Sequence, residues 1–373
     1  ALDKIQNNND KKYMNIAIEL AKNGNYRTHP NPLVGAVIVK NDKIISKGYH
    51  KRFRGKHAER EAIDKSKVNL KGSTMYVTLE PCAHYGNTPP CVDAIIESKI
   101  SRVVIASKDP NPLVNEKSIN KLKDNGIDVT TGVCESDARE LNKSFFYKFN
   151  HDKPYMRLKY GISIDGKIAN QRKESKWITS EDSRTFVQSK RAEVNAILTT
   201  CNTVIDDNPY MNIREKKIKD LITNQPALIV LDARMRIPVT SNIFKTKNRL
   251  VIIITDSKNT NNRPIKTYSE NVVIKYVNTF NNGKVNLKDI YEIANTYDLN
   301  DILIECGNTF SRYLIKENAV DEFMLFVAPK IIGDKGYTFS GIDPVQRLKD
   351  KISLRISEII PIKNDLYINL RKQ

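Results

Sequence analysis

The chain has 373 residues, of which 40% are hydrophobic and 28% are charged, and its formal net charge is +18. One hydrophobic core seldom serves more than about 250 to 300 residues, so the length predicts two domains, and the composition excludes an intrinsically disordered chain. The basic residues are scattered and no apolar run has the roughly 20 residues of a membrane-spanning helix, so we expect neither a nucleic-acid nor a membrane partner.

The first half of the chain predicts an α/β domain. Apolar residues recur at helical spacing over Tyr13–Lys22, and two Val- and Ile-rich segments joined by a turn predict an antiparallel strand pair, Val34–Val39 with Lys43–Tyr49. The elements predicted after them are a helix beginning near His57, strand Thr74–Leu79, helix Val92–Glu97, strand Arg102–Ala106, helix Glu116–Lys123, a short strand near Val129 and a helical stretch over Ser136–Phe149. This alternation favours a mixed sheet with helices on both faces.

A domain boundary is predicted between Asp152 and Lys153, because a proline at position 154 disfavours helix at the residue before it. The two domains are therefore expected to span residues 1–152 and 153–373. The elements predicted for the second domain are strand Tyr155–Ile162, helix Ser180–Lys190, strands Asn195–Thr199, Ala227–Leu231 and Leu250–Thr255, helix Leu287–Thr296, and strands Asp301–Glu305 and Glu322–Val327. They predict a second α/β domain.

Four residues of the first domain form a pattern typical of zinc deaminases. His57 is followed two positions later by Glu59, and Cys82 and Cys91 follow a predicted strand. One histidine and two cysteines leave the fourth position of a catalytic zinc ion to water, whose pKa the metal lowers until hydroxide is the nucleophile. A glutamate that is not a ligand can then take the proton of the water and deliver it to the ring nitrogen and to the departing ammonia.

The spacing of these residues predicts where they lie. Residues two apart do not share a face within a helix, so we expect His57 and Glu59 in the first turn of theirs. Pro81 suits the first turn of another helix, whose positive end would favour the thiolate of Cys82. A structural zinc site would need a fourth protein ligand, for which His84 is the nearby candidate.

The other cysteines and the amino-terminal segment bear on the cellular compartment. An odd count of five cysteines argues against a disulfide scaffold, and we interpret Cys134, Cys201 and Cys306 as ordinary thiols. Residues 1–12 are polar and lack the apolar centre of a secretion signal. We therefore expect a cytoplasmic protein.

The sequence resembles the bifunctional riboflavin-biosynthesis deaminase/reductase family. The motifs that carry this resemblance are Thr28–Gly35, His57–Glu59, Tyr76–Cys91 and Asp109–Pro112 in the first domain, and Lys159–Ala169, Ser175–Ser180 and Thr203–Pro209 in the second. The eight residues between the two cysteines differ from the two found in cytidine and transfer-RNA deaminases. The resemblance extends from about Lys12 to the C-terminus.

For the first domain, the resemblance implies a cytidine-deaminase-like fold with one zinc ion per chain. It implies that this domain deaminates a diaminopyrimidinone that carries ribosylamino 5-phosphate, a phosphorylated small molecule, with Glu59 as the proton shuttle. The residues implied to contact this substrate are Asn31, His50, Asp109 and Asn111. The Asp-Pro-Asn-Pro segment is also typical of a plain turn.

One position departs from the family pattern. A lysine or arginine is expected at position 87, where it would contact the substrate phosphate, and this chain has Asn87. Lys51 and Arg52 are candidates to replace it. We expect either such a replacement or weaker phosphate binding.

For the second domain, the resemblance implies a dihydrofolate-reductase-like fold that reduces the ribosyl chain to ribityl with NADPH. The residues implied to line the NADPH site are Gly161, Trp177, Thr203, Asp207, Gly307, Asn308, Thr309, Phe310, Ser311, Arg312 and Tyr313. Those implied to face the substrate are Ser175, Arg191, Met211, Arg214 and Glu305. We further expect a homo-oligomer.

The reductase prediction depends on this resemblance more than on local pattern. No G-x-G-x-x-G motif follows a strand, so a Rossmann dinucleotide site has little support. The backbone amides at the helix start after Gly307 can hold pyrophosphate, but a glycine between a strand and a helix is common. Hydride transfer needs a proton donor and a positioned cofactor, and Lys159 and Asp207 are the candidates for proton supply and polarisation. Lys159 could equally be a solvated strand residue, and Cys306 replaces an expected small residue.

Two alternatives remain open from the sequence. A nucleic-acid or nucleoside base deaminase with an accessory binding domain would suit the basic charge, but it lacks aromatic residues interleaved with basic ones. A catalytically inactive relative that binds ligands is opposed by the intact His57, Glu59, Cys82 and Cys91.

Overall fold

The structure is a computed structural model, which describes residues 2–86, 88–176, 178–260, 268–278 and 284–373. The chain forms two compact units, Ala1–Asp152 and Lys153–Gln373. No helix in these ranges is long and apolar enough to cross a bilayer.

The described residues of the first unit form a five-stranded sheet and six α-helices. Its strands are β1 (Gly35–Lys40), β2 (Lys43–Tyr49), β3 (Thr74–Leu79), β4 (Arg102–Ser107) and β5 (Asp128–Thr131). Its helices are α1 (Leu2–Ala21), α2 (Ala58–Lys65), α3 (Cys91–Glu97), α4 (Lys117–Asp124), α5 (Glu135–Leu141) and α6 (Lys143–His151). The sheet order is β2-β1-β3-β4-β5, with β1 antiparallel to β2 and β3, and β3, β4 and β5 parallel.

Alternate residues of the central strands enter two separate cores on the two faces of this sheet. Met75 and Val77 of β3 pack in the core that includes α2, α3 and α4. Tyr76, between them, packs in the core that α1 and α5 cover. Because both faces of β3 are covered, its residues after Thr74 are all buried, and its bounds could be predicted from sequence.

Helix α1 begins eleven residues before the predicted start at Tyr13. Its first turns carry few apolar residues, so periodicity gives no signal there. Asp10 is nevertheless buried, because its carboxylate accepts two hydrogen bonds of 2.8 Å from Arg102 and one of 2.9 Å from Tyr76. These pairings across the sheet anchor the polar part of the helix. The single helix predicted over Ser136–Phe149 is also wrong, since it divides into α5 and α6.

The second unit contains a nine-stranded sheet. Its strands are β6 (Tyr155–Ser163), β8 (Ala196–Thr200), β9 (Ala227–Leu231), β10 (Val251–Asp256), β11 (Val272–Val277), β12 (Asp301–Ile304), β13 (Glu322–Ala328), β15 (Leu354–Ile362) and β16 (Asp365–Lys372), and β7 (Lys167–Ala169) pairs separately with β14 (Tyr337–Thr338). Its helices are α7 (Glu181–Glu193), α8 (Cys201–Asp207), α9 (Lys216–Lys219), α10 (Leu287–Thr296) and α11 (Asn308–Lys316).

The strand order of this sheet is β11-β10-β9-β8-β12-β6-β13-β16-β15. In this order, each strand from β11 across the sheet to β13, including β6, is parallel to its neighbours. Strands β16 and β15 are added in antiparallel orientation at the edge next to β13. Because the inner strands are parallel, the carboxyl ends of β8, β12 and β6 meet at one edge of the sheet. Loops that follow these strands can therefore contribute to one site.

Strands β15 and β16 were not predicted from sequence. Pro361 lies within β15, and proline removes a ladder hydrogen bond, which argues against a central strand. The structure accommodates it because β15 is the edge strand. Strand β11 and helix α8 were missed as well. No residue of β11 is fully buried, and only two of the seven residues of α8 are, so neither carries a clear apolar pattern.

Candidate functional site

The three predicted metal ligands lie together at the ends of two helices. His57 immediately precedes α2, Cys82 lies in the loop after β3, and Cys91 is the first residue of α3. The Nδ1 atom of His57 is 3.5 Å from Sγ of Cys82 and 3.3 Å from Sγ of Cys91. The three ligand atoms all lie within 4.8 Å of one another.

These distances fit a tetrahedral zinc ion. With bonds of about 2.3 Å to sulfur and about 2.0 Å to nitrogen, the nitrogen and sulfur ligands of one zinc ion lie about 3.5 Å apart. Nδ1 of His57 matches this separation to both sulfur atoms. His84 is not part of the metal-ligand group found among the described residues, so the protein supplies three ligands there.

The helix predicted to begin at Pro81 is absent, and this prediction is wrong. Residues 81–86 and 88–90 form a loop, and the next helix, α3, begins at Cys91 after Pro90. The first turn of α3 nevertheless acts on Cys82, because the backbone N–H of Cys91 donates to Cys82 Sγ over 3.2 Å. Hydrogen bonds from Cys91 and from His57 lower the pKa of Cys82.

Glu59 lies in the first turn of α2, beside the ligand cluster. It is only 3% exposed, and burial raises the pKa of its carboxyl to about 7, although the charge of His57 opposes this rise. A carboxyl group with a pKa near neutrality can accept a proton and return it within one catalytic cycle.

His50 and Asn31 lie next to the ligand His57. The imidazole of His50 packs edge-on against that of His57, with 5.6 Å between ring centres. Nδ1 of His50 is 2.9 Å from the carbonyl oxygen of Lys56, to which it can donate, and Nε2 is then free to accept from Nδ2 of Asn31 at 3.3 Å. These contacts fix both side chains beside the metal ligands.

Asp109 and Asn111 lie in the loop that follows β4. Oδ1 of Asp109 accepts from the backbone N–H of Asn111 at 2.8 Å, and burial raises the pKa of Asp109 to about 6. The charge of Cys82 adds to this rise in the pKa of Asp109, and that of His84 opposes it. Asp109 also lines a cavity of about 330 Å³ with Lys108 and Arg139.

Asn87, where a basic residue was expected, lies outside the described residues. Of the two candidates to replace it, Lys51 forms an ion pair of 3.2 Å with Glu61 of α2. Arg52, the other candidate, is exposed.

In the second unit, a buried carboxylate binds Arg191, which was predicted to face the substrate, and Lys159, which was predicted to supply a proton. Glu305 directly follows β12 and is 4% exposed. Arg191 of α7 donates to both of its carboxylate oxygens over 3.0 to 3.3 Å, and Nζ of Lys159 on β6 is 3.3 Å from Oε1. Burial acts to raise the pKa of Glu305, but the two cations outweigh it and hold that pKa at about 2.

Lys159 and Asp207, the two candidates for proton supply, are not joined by an ion pair. Lys159 binds Glu305 instead. Asp207 is the last residue of α8, and burial raises its pKa while Lys176 opposes this shift. The roles of the two residues remain predictions.

The segment Met211–Arg214 lies beside the Glu305 cluster. Arg191 donates from Nη1 to the carbonyl oxygen of Asn212 over 2.9 Å, and Arg214 donates to the side chain of the same asparagine over 2.6 Å. Met211 is 5% exposed and has a φ of +47°. Arg191, Met211 and Arg214 are thereby brought together.

Gly307 and the first turns of α11 form the strand-to-helix connection predicted to bind the cofactor. Gly307 directly precedes α11, and a Cβ added to it would meet open space. A bound group would therefore have room there beside the first backbone amides of the helix. Ser311 is buried and accepts from the Tyr160 hydroxyl over 2.9 Å.

The other residues predicted for the reductase site are distributed among three elements. Gly161 lies on β6, where an added Cβ would be 3.0 Å from Cγ2 of Thr179. Thr203 lies in α8, and Ser175 lies in the loop between β7 and α7. Trp177 lies outside the described residues.

Arg249 is a buried residue of this unit to which the sequence assigned no role. It is 2% exposed and donates to the carbonyl oxygens of Met211 over 2.6 Å, Tyr210 over 2.9 Å and Ile243 over 2.6 Å. Arg249 thus holds the segment that carries Met211. No local pattern could reveal it, since its partners there lie 38 and 39 residues away in the chain.

Comparison with known proteins gives matches to both halves of the chain. The family model described as the cytidine and deoxycytidylate deaminase zinc-binding region matches residues 7–107, and the one described as the RibD C-terminal domain matches residues 154–366. These matches confirm the predicted α/β fold class, a cytidine-deaminase-like first domain followed by a reductase domain.

Individual relatives match over nearly the whole chain. The riboflavin biosynthesis protein RibD of Aquifex aeolicus is 38% identical over 363 residues, which cover 97% of this chain and 98% of the relative. The structure of Acinetobacter baumannii RibD superposes with a TM-score of 0.88 at 34% identity, covering 98% and 99% of the two chains. The structure of a Thermotoga maritima diaminohydroxyphosphoribosylaminopyrimidine deaminase/5-amino-6-(5-phosphoribosylamino)uracil reductase gives 0.86 at 32% identity, covering 99% and 100%.

Proposed function

The chain belongs to the RibD family of bifunctional riboflavin-biosynthesis deaminase/reductases, and from this premise we propose which residues perform each half of its chemistry. Residues 1–152 form the deaminase domain and residues 153–373 the reductase domain in this proposal. The proposed substrate of the deaminase domain is the ribosylaminopyrimidine 5′-phosphate after which the Thermotoga maritima relative is named. A nucleic-acid base deaminase is not favoured, because the family match extends through the second domain.

For deamination, we propose that His57, Cys82 and Cys91 hold one zinc ion per chain. Zinc supplies the Lewis acidity that makes a water molecule nucleophilic near neutral pH. Glu59 would take one proton of that water on its carboxylate and deliver it to the pyrimidine ring, and would then carry the second proton of the water to the amine, which leaves as ammonia. The observation that carries this proposal is the buried carboxyl of Glu59, with its pKa near 7, beside the cluster of three ligands.

The substrate is held by the side chains that surround this cluster. Asn31 and His50 are fixed beside His57 by hydrogen bonds, and Asp109 and Asn111 are joined by a hydrogen bond in the loop after β4. We assign the phosphate contact expected at position 87 to Lys51 or Arg52. Alanine at the residue that makes this contact should raise KM for the phosphorylated substrate and leave KM for its dephosphorylated form unchanged.

The deaminase assignment is tested by Glu59→Gln. This variant should bind zinc as the wild type does and lose deamination, because glutamine cannot carry the proton. Asp64→Asn is a matched control, since Asp64 lies on the same helix and its carboxylate pairs with Lys56 rather than with the cluster. Wild-type turnover by Glu59→Gln would contradict the assigned role of Glu59.

For reduction, NADPH supplies the hydride that the ribosyl chain accepts. We propose that Gly161, Trp177, Thr203, Asp207 and residues 307–313 bind NADPH, and that Ser175, Arg191, Met211, Arg214 and Glu305 bind the substrate. Lys159 donates the accompanying proton or orients its donor, and Asp207 polarises the reacting group. The Arg191 and Lys159 pairing with Glu305 supports a cationic pocket at the carboxyl ends of the central strands.

The reductase assignment is tested by calorimetry and by the rate of NADPH oxidation. NADPH should bind the wild type, and its oxidation should require the deaminated ribosylamino phosphate. Lys159→Met should reduce this oxidation and leave deamination intact, whereas Lys288→Met, an exposed lysine of α10, should change neither rate. Absence of NADPH binding would rule out the second half of the proposal.

We also propose a homo-oligomeric and cytoplasmic protein. Ile356 and Ile359 of the edge strand β15 are 61% and 52% exposed, and a second chain would bury them. Cys82 and Cys91 must stay reduced to bind zinc, which suits a reducing compartment. Light scattering of the purified chain and fractionation of cells test these two points; a monomer would contradict the first and a secreted protein the second.

A further inference from the structure

The carboxylate of Glu80 links the loop that carries Cys82 to the loop that carries Asp109. Glu80 directly follows β3, two residues before Cys82, and is 3% exposed. Its Oε2 atom accepts from the backbone N–H of Asp109 over 3.0 Å, and its Oε1 atom accepts from the hydroxyl of Ser118 in α4, also over 3.0 Å. One buried side chain therefore joins the cysteine loop, the loop after β4 and helix α4.

The hydrogen bonds of Glu80 continue into the loop that carries the proposed substrate residues. Asp109, held by Glu80, accepts from the N–H of Asn111, whose Oδ1 accepts from the N–H of Leu113 over 3.0 Å. Hydrogen bonds to a buried carboxylate are stronger than those between neutral groups, so this chain of bonds restricts the loop.

The sheet does not require the side chain of Glu80. The backbone N–H of Glu80 already bonds to the carbonyl oxygen of Ser107 over 2.9 Å, and Leu79 is paired with Ser107 in the register of β3 and β4. The carboxylate bonds instead to the N–H of Asp109, which lies in the loop after the end of β4. Its contribution is therefore to the placement of Asp109.

We infer that Glu80 is a positioning residue for the deaminase substrate, which fixes Asp109 and Asn111 relative to Cys82. The inference rests on the proposed function of Asp109 and Asn111. Glu80 is not one of the metal ligands, and it acts on the substrate through the backbone of Asp109 rather than by contact.

The test compares Glu80→Gln with the wild type in steady-state deamination of the ribosylaminopyrimidine phosphate. Glutamine is uncharged and has one acceptor oxygen in place of two, so the charge-assisted hydrogen bond to the N–H of Asp109 is lost or replaced by a weaker neutral one. We expect KM to rise about ten-fold, as for loss of a hydrogen bond to a charged group, with a smaller change in kcat and with zinc content unchanged.

A double-mutant cycle separates positioning from general stability. In the background of Asp109→Asn, the substitution Glu80→Gln should raise KM less than two-fold, because the side chain that Glu80 positions has already been changed. An equal rise in both backgrounds would overturn the inference. If Glu80→Gln does not fold, Glu80→Asp takes its place, since it keeps both acceptors on a shorter side chain and should also raise KM.

Wild-type activity distinguishes the possible failures. Absence of deamination by the zinc-loaded wild type would overturn the proposed function and this inference together. Deamination by the wild type with the same KM in the Glu80 variant would overturn the inference alone.

Discussion

Glu305 and Arg191 form a bidentate ion pair in the interior of the second unit, with both carboxylate oxygens 3.0 to 3.3 Å from the guanidinium nitrogens. Lys159 binds the same carboxylate, so two cations face one buried anion. The cluster therefore keeps a net positive charge at the carboxyl ends of the central strands, which suits a phosphorylated substrate.

The stability that Glu305 provides should depend on pH below 4.5. Its pKa in the folded protein is about 2, below the ordinary value of 4.5, so the carboxylate stabilises the fold fully above pH 4.5 and progressively less as the pH falls towards 2. The difference in unfolding free energy between wild type and Glu305→Gln should shrink by about 1 kcal/mol from pH 4.5 to pH 3.5.

Urea unfolding followed by tryptophan fluorescence measures this difference, because the one tryptophan of the chain belongs to the second unit. Glu292→Gln, at an exposed glutamate of α10, is the control and should show no such trend. A difference that stays constant from pH 7 to pH 3.5 would contradict the low pKa of Glu305.

Zinc content should depend on Cys82 and Cys91 and on no other cysteine. Replacing either by serine removes one of three protein ligands, so we expect the zinc content to fall from about one ion per chain to well below half at limiting zinc. Cys134→Ser is the matched control, because Cys134 lies at the start of α5 and outside the ligand group. Metal analysis after dialysis measures these contents; full zinc in Cys91→Ser would disprove the proposed ligand set.

Elements with a regular local pattern of apolar and polar residues can be predicted from the sequence. Elements whose formation depends on contacts with residues far away in the chain cannot. Strand β3 and helix α10 have the predicted bounds, because their apolar patterns report burial directly. The first turns of α1 depend on Asp10 meeting Arg102, 92 residues away, and no local pattern carries that contact.

The candidate sites divide in the same way. Motif spacing places His57 and Glu59 at a helix start, and the structure has them there. The motif also predicts a helix start at Pro81, but the helix whose N–H bonds to Cys82 begins at Cys91, after Pro90. The prediction failed because proline suits several positions before and within a first turn. Glu80 lies inside a motif, but its partners in the loop after β4 become visible only when the chain is folded.

Gly48→Ala should impair the zinc site without changing any ligand. Gly48 lies on β2 beneath α2, and a Cβ there would be 2.3 Å from the carbonyl oxygen of Ala58, so the helix must move away from the sheet. That movement displaces His57 and Glu59 at the start of α2, and we expect weaker zinc binding and at least ten-fold lower deamination.

Gly86→Ala is the control for this substitution, since an added Cβ at Gly86 meets open space. Competition with a chelator measures the affinity for zinc in both variants. Wild-type affinity in Gly48→Ala would show that α2 does not depend on this close approach.

Arg249→Met should impair reduction and leave deamination intact. Methionine fills much of the same volume but donates no hydrogen bond, so the carbonyl oxygens of Tyr210, Met211 and Ile243 lose a buried partner. Because the Met211–Arg214 segment is held by Arg249 and Arg191, we expect KM for the reductase substrate to rise about ten-fold or more, and the second unit to lose about 2 to 3 kcal/mol of stability.

Parallel assays of the two half-reactions on one preparation measure these effects, with Arg347→Met, at an exposed arginine before β15, as the control. The expected outcome is a deaminase rate within two-fold of wild type beside a weakened reductase. Equal loss of both activities would mean that Arg249 stabilises the whole chain, and an unchanged KM for reduction would mean that the Met211 segment keeps its position without it. The split between the two rates thus tests whether this buried arginine serves the reductase pocket alone.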